Sequence, residues 1–295
     1  MAAAAAASLF FGGMVFGTRL VIGQTDPWTL AFFRFAIGAA CLTPIVLRRG
    51  TLRVEPTDRV PIACLGIVGY GAMSVFLGAG LRLTYASRGA LILTSQSFLT
   101  LLFSCWRGEE RFTRVKLVGT GLAACGLALA VSRSFDAPRS PDARWVGDAL
   151  VFGAALCISA YNVFARPYLR RYSPMAVTAL TMTAASVALC PLALGIAVTQ
   201  GLPMLTPLGW ITVVYIGVFG AAIGYGLWVW ALKQITPTRV AVCLALNPLS
   251  ATVLGAALLG EPITSRFIGG FVLVAAGIIV TNLRQSDVVP GADSG

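Results

Sequence analysis

TYASRGALILTSQSFLTLLFSCWRGEERFT, residues 84–113, and TPTRVAVCLALNPLSATVLGAALLGEPIT, residues 236–264, are two copies of one pattern. At an offset of 151, Arg88 pairs with Arg239, Ala90 with Ala241, Glu110 with Glu261 and Thr113 with Thr264. The same offset continues outward through Gly119 and Gly270, Gly126 and Gly277, Gly66 and Gly217, and Gly69 and Gly220. Further upstream it becomes 147, pairing Arg19 with Arg166, Pro27 with Pro174 and Pro44 with Pro191, because the second copy holds four extra residues between its second and third apolar segments. Almost the whole chain is therefore duplicated. Internal duplication in an apolar chain is the mark of carriers built from repeats, with the binding site where the repeats meet.

The chain is a membrane protein by composition. Its mean hydropathy is +0.84, and 11% of its residues are charged, where soluble domains carry about 25%. Ten apolar segments, at 3–22, 28–47, 60–80, 87–106, 114–133, 147–167, 175–197, 208–231, 237–259 and 266–283, match the roughly 20 residues that cross a bilayer as a helix. They are continuous and rich in Ala, Leu and Gly, without the alternation of a β-barrel. The expected fold is an all-α integral membrane protein of ten transmembrane helices. Trp28, Trp106, Trp145, Trp210, Trp228 and Trp230 fall near segment ends, where indoles anchor at the headgroups.

The net charge of +11 would suggest nucleic acid in a soluble protein, but here the loops account for it. With the N-terminus in the cytoplasm, fourteen loop and tail cations fall inside, from Arg48 through Arg171 to Arg284, and six fall outside: Arg82, Arg88, Arg133, Arg139, Arg144 and Arg266. Both termini are thus expected in the cytoplasm, and nucleic acid is not an expected partner. The first segment has no basic n-region and reads as a retained helix rather than a signal peptide. Residues 134–146, SFDAPRSPDARWV, form a polar linker between a first repeat at 1–133 and a second at 147–283, and 284–295 form a polar tail. The seven cysteines lie in or beside the spans with no C-x-x-C spacing, which implies buried small thiols and neither a disulfide framework nor a metal site.

Five helices per half is an odd number. A second copy joined directly to the first must then insert upside down, so the expected arrangement is two inverted five-helix repeats around a central cavity.

The stretches at 84–129 and 236–278, with the E-x-x-T element appearing as EERFT and GEPIT, resemble the paired repeats of the drug/metabolite transporter superfamily, specifically its ten-helix EamA group. The resemblance covers nearly the whole chain. It implies a bacterial inner-membrane carrier, often an exporter of amino acids or other small metabolites, whose cavity is lined mainly by helices 1, 3, 4, 6, 8 and 9. Where that family commonly has Trp in the first helix and Pro in the fourth, this chain reads FFGGMVFG and SQSFL, and only Pro248 keeps the proline.

Candidate solute contacts are polar or aromatic residues inside the spans. Asn247 precedes Pro248, whose missing N–H frees a carbonyl one turn earlier at mid-helix. Gln96 and Ser97 are its repeat counterparts. Tyr161 and Asn162 lie in the sixth helix, and Tyr215, Tyr225 and Trp228 in the eighth. Tyr70 and Ser74 share a face of the third, as Thr94 and Ser97 do in the fourth. Each alone reads as packing; together on the cavity helices they suit a partly apolar solute with a polar end. Arg34, seven residues or about 10 Å into its span, either meets an anionic solute group or is pinned to backbone carbonyls, with a burial cost of about 2.5–3.5 kcal/mol in either case. Glu110 and Glu261 are expected to stabilise the start of the helix that follows each.

The chain has no histidine, and no acid lies deep in a span, so the usual proton relays are missing. This favours uniport or exchange, with a proton-coupled carrier of drugs, nucleosides or sugars as the alternative. An intramembrane enzyme lacks any catalytic constellation, G-x-S-x-G and H-E-x-x-H included, and no cofactor is implied; a membrane scaffold is the remaining other class. The expected partners are a small-molecule solute and the lipid bilayer, and a monomer is compatible with the sequence.

Overall fold

The computed structural model describes residues 2–21, 23–48, 50, 54–83, 86–131, 141–201, 203–259 and 265–282. Ten helices run through these residues. They are α1 (Ala2–Val21), α2 (Pro27–Arg48), α3 (Pro56–Leu83), α4 (Ala86–Trp106) and α5 (Arg114–Val131), then α6 (Pro141–Phe164) with a short turn Arg166–Arg171, α7 (Pro174–Gln200), α8 (Pro207–Gln234), α9 (237–259) and α10 (Ser265–Asn282). Five of them, α2, α3, α6 with its turn, α7 and α8, are long and apolar enough to cross a membrane by length and composition alone. α6 starts at Pro141, so the last six residues of the expected linker are helical.

Local chemistry sets several of these ends. Pro27, Pro56, Pro174, Pro207 and Pro237 each open a helix, where the missing N–H has no intrahelical partner to lose. Asp26 caps α2, its Oδ1 accepting from the backbone N–H groups of Trp28 and Thr29, both at 2.9 Å. Thr206 Oγ1 caps α8 by accepting from Gly209 N at 3.1 Å.

The helices pack by glycine contacts. A Cβ on Gly126 would lie 2.7 Å from the Gly270 carbonyl oxygen, and one on Gly277 2.6 Å from that of Gly119. α5 and α10 therefore run antiparallel with their backbones in direct contact, which bare Cα positions permit. Under the repeat offset Gly119 becomes Gly270 and Gly126 becomes Gly277, so one close approach maps onto the other. The larger pattern is the same: α1 packs on α8 and α9 as α6 packs on α3 and α4, while α2 with α7, α4 with α9 and α5 with α10 are each equivalent partners.

The middle of α3 (Ile67–Ala72) and of α8 (Ile216–Tyr225) is π-helical, at repeat-equivalent places. Such widened turns occur often at functional sites. In α9 the helix tightens to a 3-10 turn over Cys243–Ala245; Leu244 is the residue four before Pro248, whose lost N–H leaves that carbonyl without its helical donor.

Two sequence expectations change. Trp228 is 1% exposed and belongs to the core, whereas Trp106, Trp145, Trp210 and Trp230 do lie at the surface. Trp230 is two residues from Trp228, about 200° around the helix, hence on the outer face. Of the cysteines only Cys243 is buried, while Cys64 and Cys125 are exposed on the outer surface, where a thiol meets hydrocarbon as readily as protein.

Candidate functional site

The polar side chains of α2, α3, α6 and α8 meet in one buried centre. The Tyr70 ring lies 4.6 Å from both Tyr161 and Tyr225, centroid to centroid, and stacks on Phe35 at 5.4 Å and 13°. Phe11 of α1 adds contacts to Tyr225 at 4.8 Å and Trp228 at 5.9 Å. Gly69 lets α6 approach this closely, because a Cβ there would fall 2.6 Å from Tyr161 Cβ. Its counterpart Gly220 faces Met14, the repeat counterpart of Tyr161. The same pocket between helices is thus filled by tyrosine in one half and by methionine in the other.

Arg34 reaches this centre from α2. Its guanidinium stands 4.4 Å over the Phe35 ring, and its Nη2 donates to Ser74 Oγ at 2.9 Å, with Met14 Sδ 3.8 Å from Nη1. Among the described residues no carboxylate pairs with it, and its Nε has no acceptor. Asn162 Oδ1 accepts from Trp228 Nε1 at 3.1 Å, which orients the amide and leaves Asn162 Nδ2 without a partner. The hydroxyls of Tyr70 and Tyr161 also complete no hydrogen bond of good geometry, although they lie close enough to each other and to Thr181 to interact electrostatically. Unsatisfied polar groups inside a bilayer-spanning core are costly. Here Arg34 Nε and Asn162 Nδ2 are such groups.

Of the eleven candidate residues, seven, Arg34, Tyr70, Ser74, Tyr161, Asn162, Tyr225 and Trp228, meet in this centre. Ser97 lies elsewhere and joins the halves, donating to the Ala241 carbonyl of α9 at 3.2 Å. Asn247 sits where α9 crosses α1: its carbonyl is 2.8 Å from a Cβ placed on Gly12 and accepts from Ser250 Oγ at 2.9 Å, while its Oδ1 is buried without a partner. Tyr215 faces away, against Gly13, in an apolar groove of about 420 Å³ between α1, α8, α9 and α10. Thr94 lies in α4, and its side chain falls outside the described set. Phe35 and Thr181 belong to the centre and were not among the candidates; the one is adjacent to Arg34 in sequence and the other is its repeat counterpart.

One end of the bundle is closed by ions. Glu110 pairs with Lys116 at 2.8 Å, with both side chains at 1% exposure or less, and its Oε1 accepts from Thr238 N at 3.1 Å. Glu110 therefore caps α9 of the other half and not, as its place before α5 suggested, the helix that follows it. Thr113 takes that position, its Oγ1 3.4 Å from Lys116 N. Glu261 and Thr264 lie outside the described residues. Beside this pair, Glu109 meets Arg166 at 3.2 Å. Asp58 accepts from the Tyr172 hydroxyl at 2.6 Å and pairs with Arg171 at 3.6 Å, and that hydrogen bond to a carboxylate holds the Tyr172 proton more tightly than usual. At the opposite end Gln24 Oε1 accepts from Thr206 N at 2.8 Å, and the Arg82 guanidinium lies 4.1 Å over the Trp28 ring.

A helical membrane bundle with a shielded polar centre between two homologous halves belongs to the class of small-solute carriers. The chain is a member of the EamA-like transporter family, whose profile matches residues 1–132 and 145–283. It is 27% identical over 276 residues to an uncharacterized transporter of Archaeoglobus fulgidus, covering 93% of this chain and 96% of that protein. It is 25% identical to a probable amino-acid metabolite efflux pump of Salmonella typhimurium (86% and 90% covered) and 28% identical to a probable terminal-alkyne amino-acid exporter of Streptantibioticus cattleyicolor (86% and 84% covered). A crystal structure of another protein superposes with a TM-score of 0.77 over 94% of this chain and 96% of its own, at 21% identity, a likeness of fold. The protein is a multi-pass membrane transporter of small molecules and not an enzyme.

Proposed function

We propose that the protein carries small metabolites, with amino acids as the leading class, by alternating access of two inverted five-helix halves, as a uniporter or exchanger. The observation that carries this reading is the gathering of Arg34, Tyr70, Tyr161 and Asn162 where α2, α3, α6 and α8 meet, with Arg34 Nε and Asn162 Nδ2 unmet. Such groups serve a transient polar occupant better than they serve packing. Inversion of the halves is supported by the odd helix count and by the antiparallel glycine contacts of α5 and α10. Amino acids are favoured by the names of two relatives. A bacterial inner membrane with cytoplasmic termini is the setting that the basic loops favour, and it would put the ion-paired end on the inside.

Of the described carboxylates, Asp26, Glu55, Asp58, Glu109 and Glu110 sit at or beside helix ends and Asp148 lies three residues into the apolar span that starts at Trp145, which favours transport without proton coupling. Counterflow in liposomes containing only this protein, with labelled amino acids, nucleosides and sugars, tests the proposal. Accumulation of at least one amino acid is the expected result. Absence of flux for the whole panel, with correctly inserted protein, would refute it.

A further inference from the structure

We infer that the centre selects its solute by a carboxylate, anchored by Arg34 and Ser74, with an aromatic or apolar body held among the rings of Phe35, Tyr70, Tyr161 and Tyr225, and that an ammonium group on the solute is dispensable. This rests on the reading of the centre as the solute site, and adds the chemical class that it takes.

The charge balance comes first. Arg34 has one strong acceptor, the Ser74 hydroxyl at 2.9 Å, and an Nε that is buried with none. Asp58 is engaged by Tyr172 and Arg171, Glu109 by Arg166, Glu110 by Lys116, and Asp26 by the start of α2. A solute carboxylate supplies the missing counter-charge, and the planar guanidinium can meet it with two parallel N–H groups.

The hydrogen-bond balance points the same way. Arg34 Nε and Asn162 Nδ2 are donors only and are unmatched, whereas the Tyr70 and Tyr161 hydroxyls have each other and Thr181 within reach. Of the acceptors at the centre, Ser74 Oγ and Asn162 Oδ1 are already used by Arg34 and Trp228. A solute rich in acceptors matches that surplus. An ammonium group would find neutral hydroxyl oxygens and ring faces but no described carboxylate, beside a fixed positive charge. The rings of Phe35, Tyr70, Tyr161 and Tyr225 already touch one another at 4.6 to 5.4 Å, so they must part to admit an aromatic body, which then replaces their mutual contacts with offset contacts of its own.

The test compares thermal stabilisation of the purified full chain by four probes of similar shape: 3-phenylpropionate, phenylalanine, 3-phenylpropionamide and phenethylamine. A ligand bound only by the folded form raises the melting temperature. At saturation both acids should raise it by about 2–4 °C, and the amide and amine should not. Arg34→Gln should abolish the response to the acids and Arg34→Lys should retain part of it. The wild-type comparison stands even if Arg34→Gln fails to fold. Equal stabilisation by the amine or amide, no response to either acid, or an undiminished response in well-folded Arg34→Gln would overturn the inference. Solute flux in liposomes without stabilisation by either acid would leave the transporter reading in place and remove only this one.

Discussion

At the scale of single residues, the tyrosine hydroxyls separate packing from function. Tyr70 and Tyr161 are fully buried, and their hydroxyls have only each other and Thr181 within reach, without good hydrogen-bond geometry, so removing one weakens a poor contact and keeps the ring in place. Tyr161→Phe and Tyr70→Phe should therefore change thermal stability by no more than about 1 kcal/mol, while lowering solute flux several-fold. A purely structural tyrosine would show no loss of flux. Much of this centre was legible in the sequence, because polar and aromatic residues deep in apolar segments are few and Tyr70, Ser74, Tyr161, Asn162 and Tyr225 stand out. Phe35 did not, since a phenylalanine in an apolar span carries no signal until Arg34 is seen lying over its ring. Tyr215 was grouped with Tyr225 for sharing α8, but π-helical turns between them change the phase, and Tyr215 faces the outer groove.

At the scale of helices, stability rests on contacts that tolerate little. A side chain on Gly126 would enter the backbone of α10, and overpacking of this kind costs about 1–3 kcal/mol. Gly126→Val should lower the yield and melting temperature of the purified protein. Glu110→Gln removes the carboxylate 2.8 Å from the buried Lys116 ammonium, and breaking a buried pair costs about 3–5 kcal/mol. Replacing both, Glu110→Gln with Lys116→Met, should recover part of that loss in the same thermal measurement. The role of Glu110 was only half legible: its repetition with Glu261 marked a helix end, but that the capped helix belongs to the other half depends on tertiary packing between segments 128 residues apart. The helix boundaries were legible to within a few residues, because hydropathy and N-terminal prolines act locally. The early start of α6 was hidden by the polar composition of residues 141–146.

At the scale of the molecule, the halves share a scaffold and differ in what fills its middle. Gly69 with Tyr161 and Gly220 with Met14 occupy equivalent places, while Arg34 and Ser74 stand opposite Thr181 and Tyr225 in the repeat. The duplicated frame explains why the fold could be read from the repeat, and the unequal side chains why the site could be read only from particular residues. With fourteen of the twenty loop and tail cations assigned to one side, a reporter fused after Gly295 should be found in the cytoplasm. For a zwitterionic test solute of no net charge, a protonophore should leave uptake down a fixed solute gradient intact.

The most direct measurement is solute counterflow in liposomes with equal amounts of wild-type, Tyr161→Ala and Asn162→Ala protein. Wild type should accumulate labelled solute, and both variants should be inserted normally but carry it at no more than about a tenth of that rate, a change equivalent to about 1.4 kcal/mol in the barrier. Wild-type rates in both variants would contradict transport through the buried centre between the two halves.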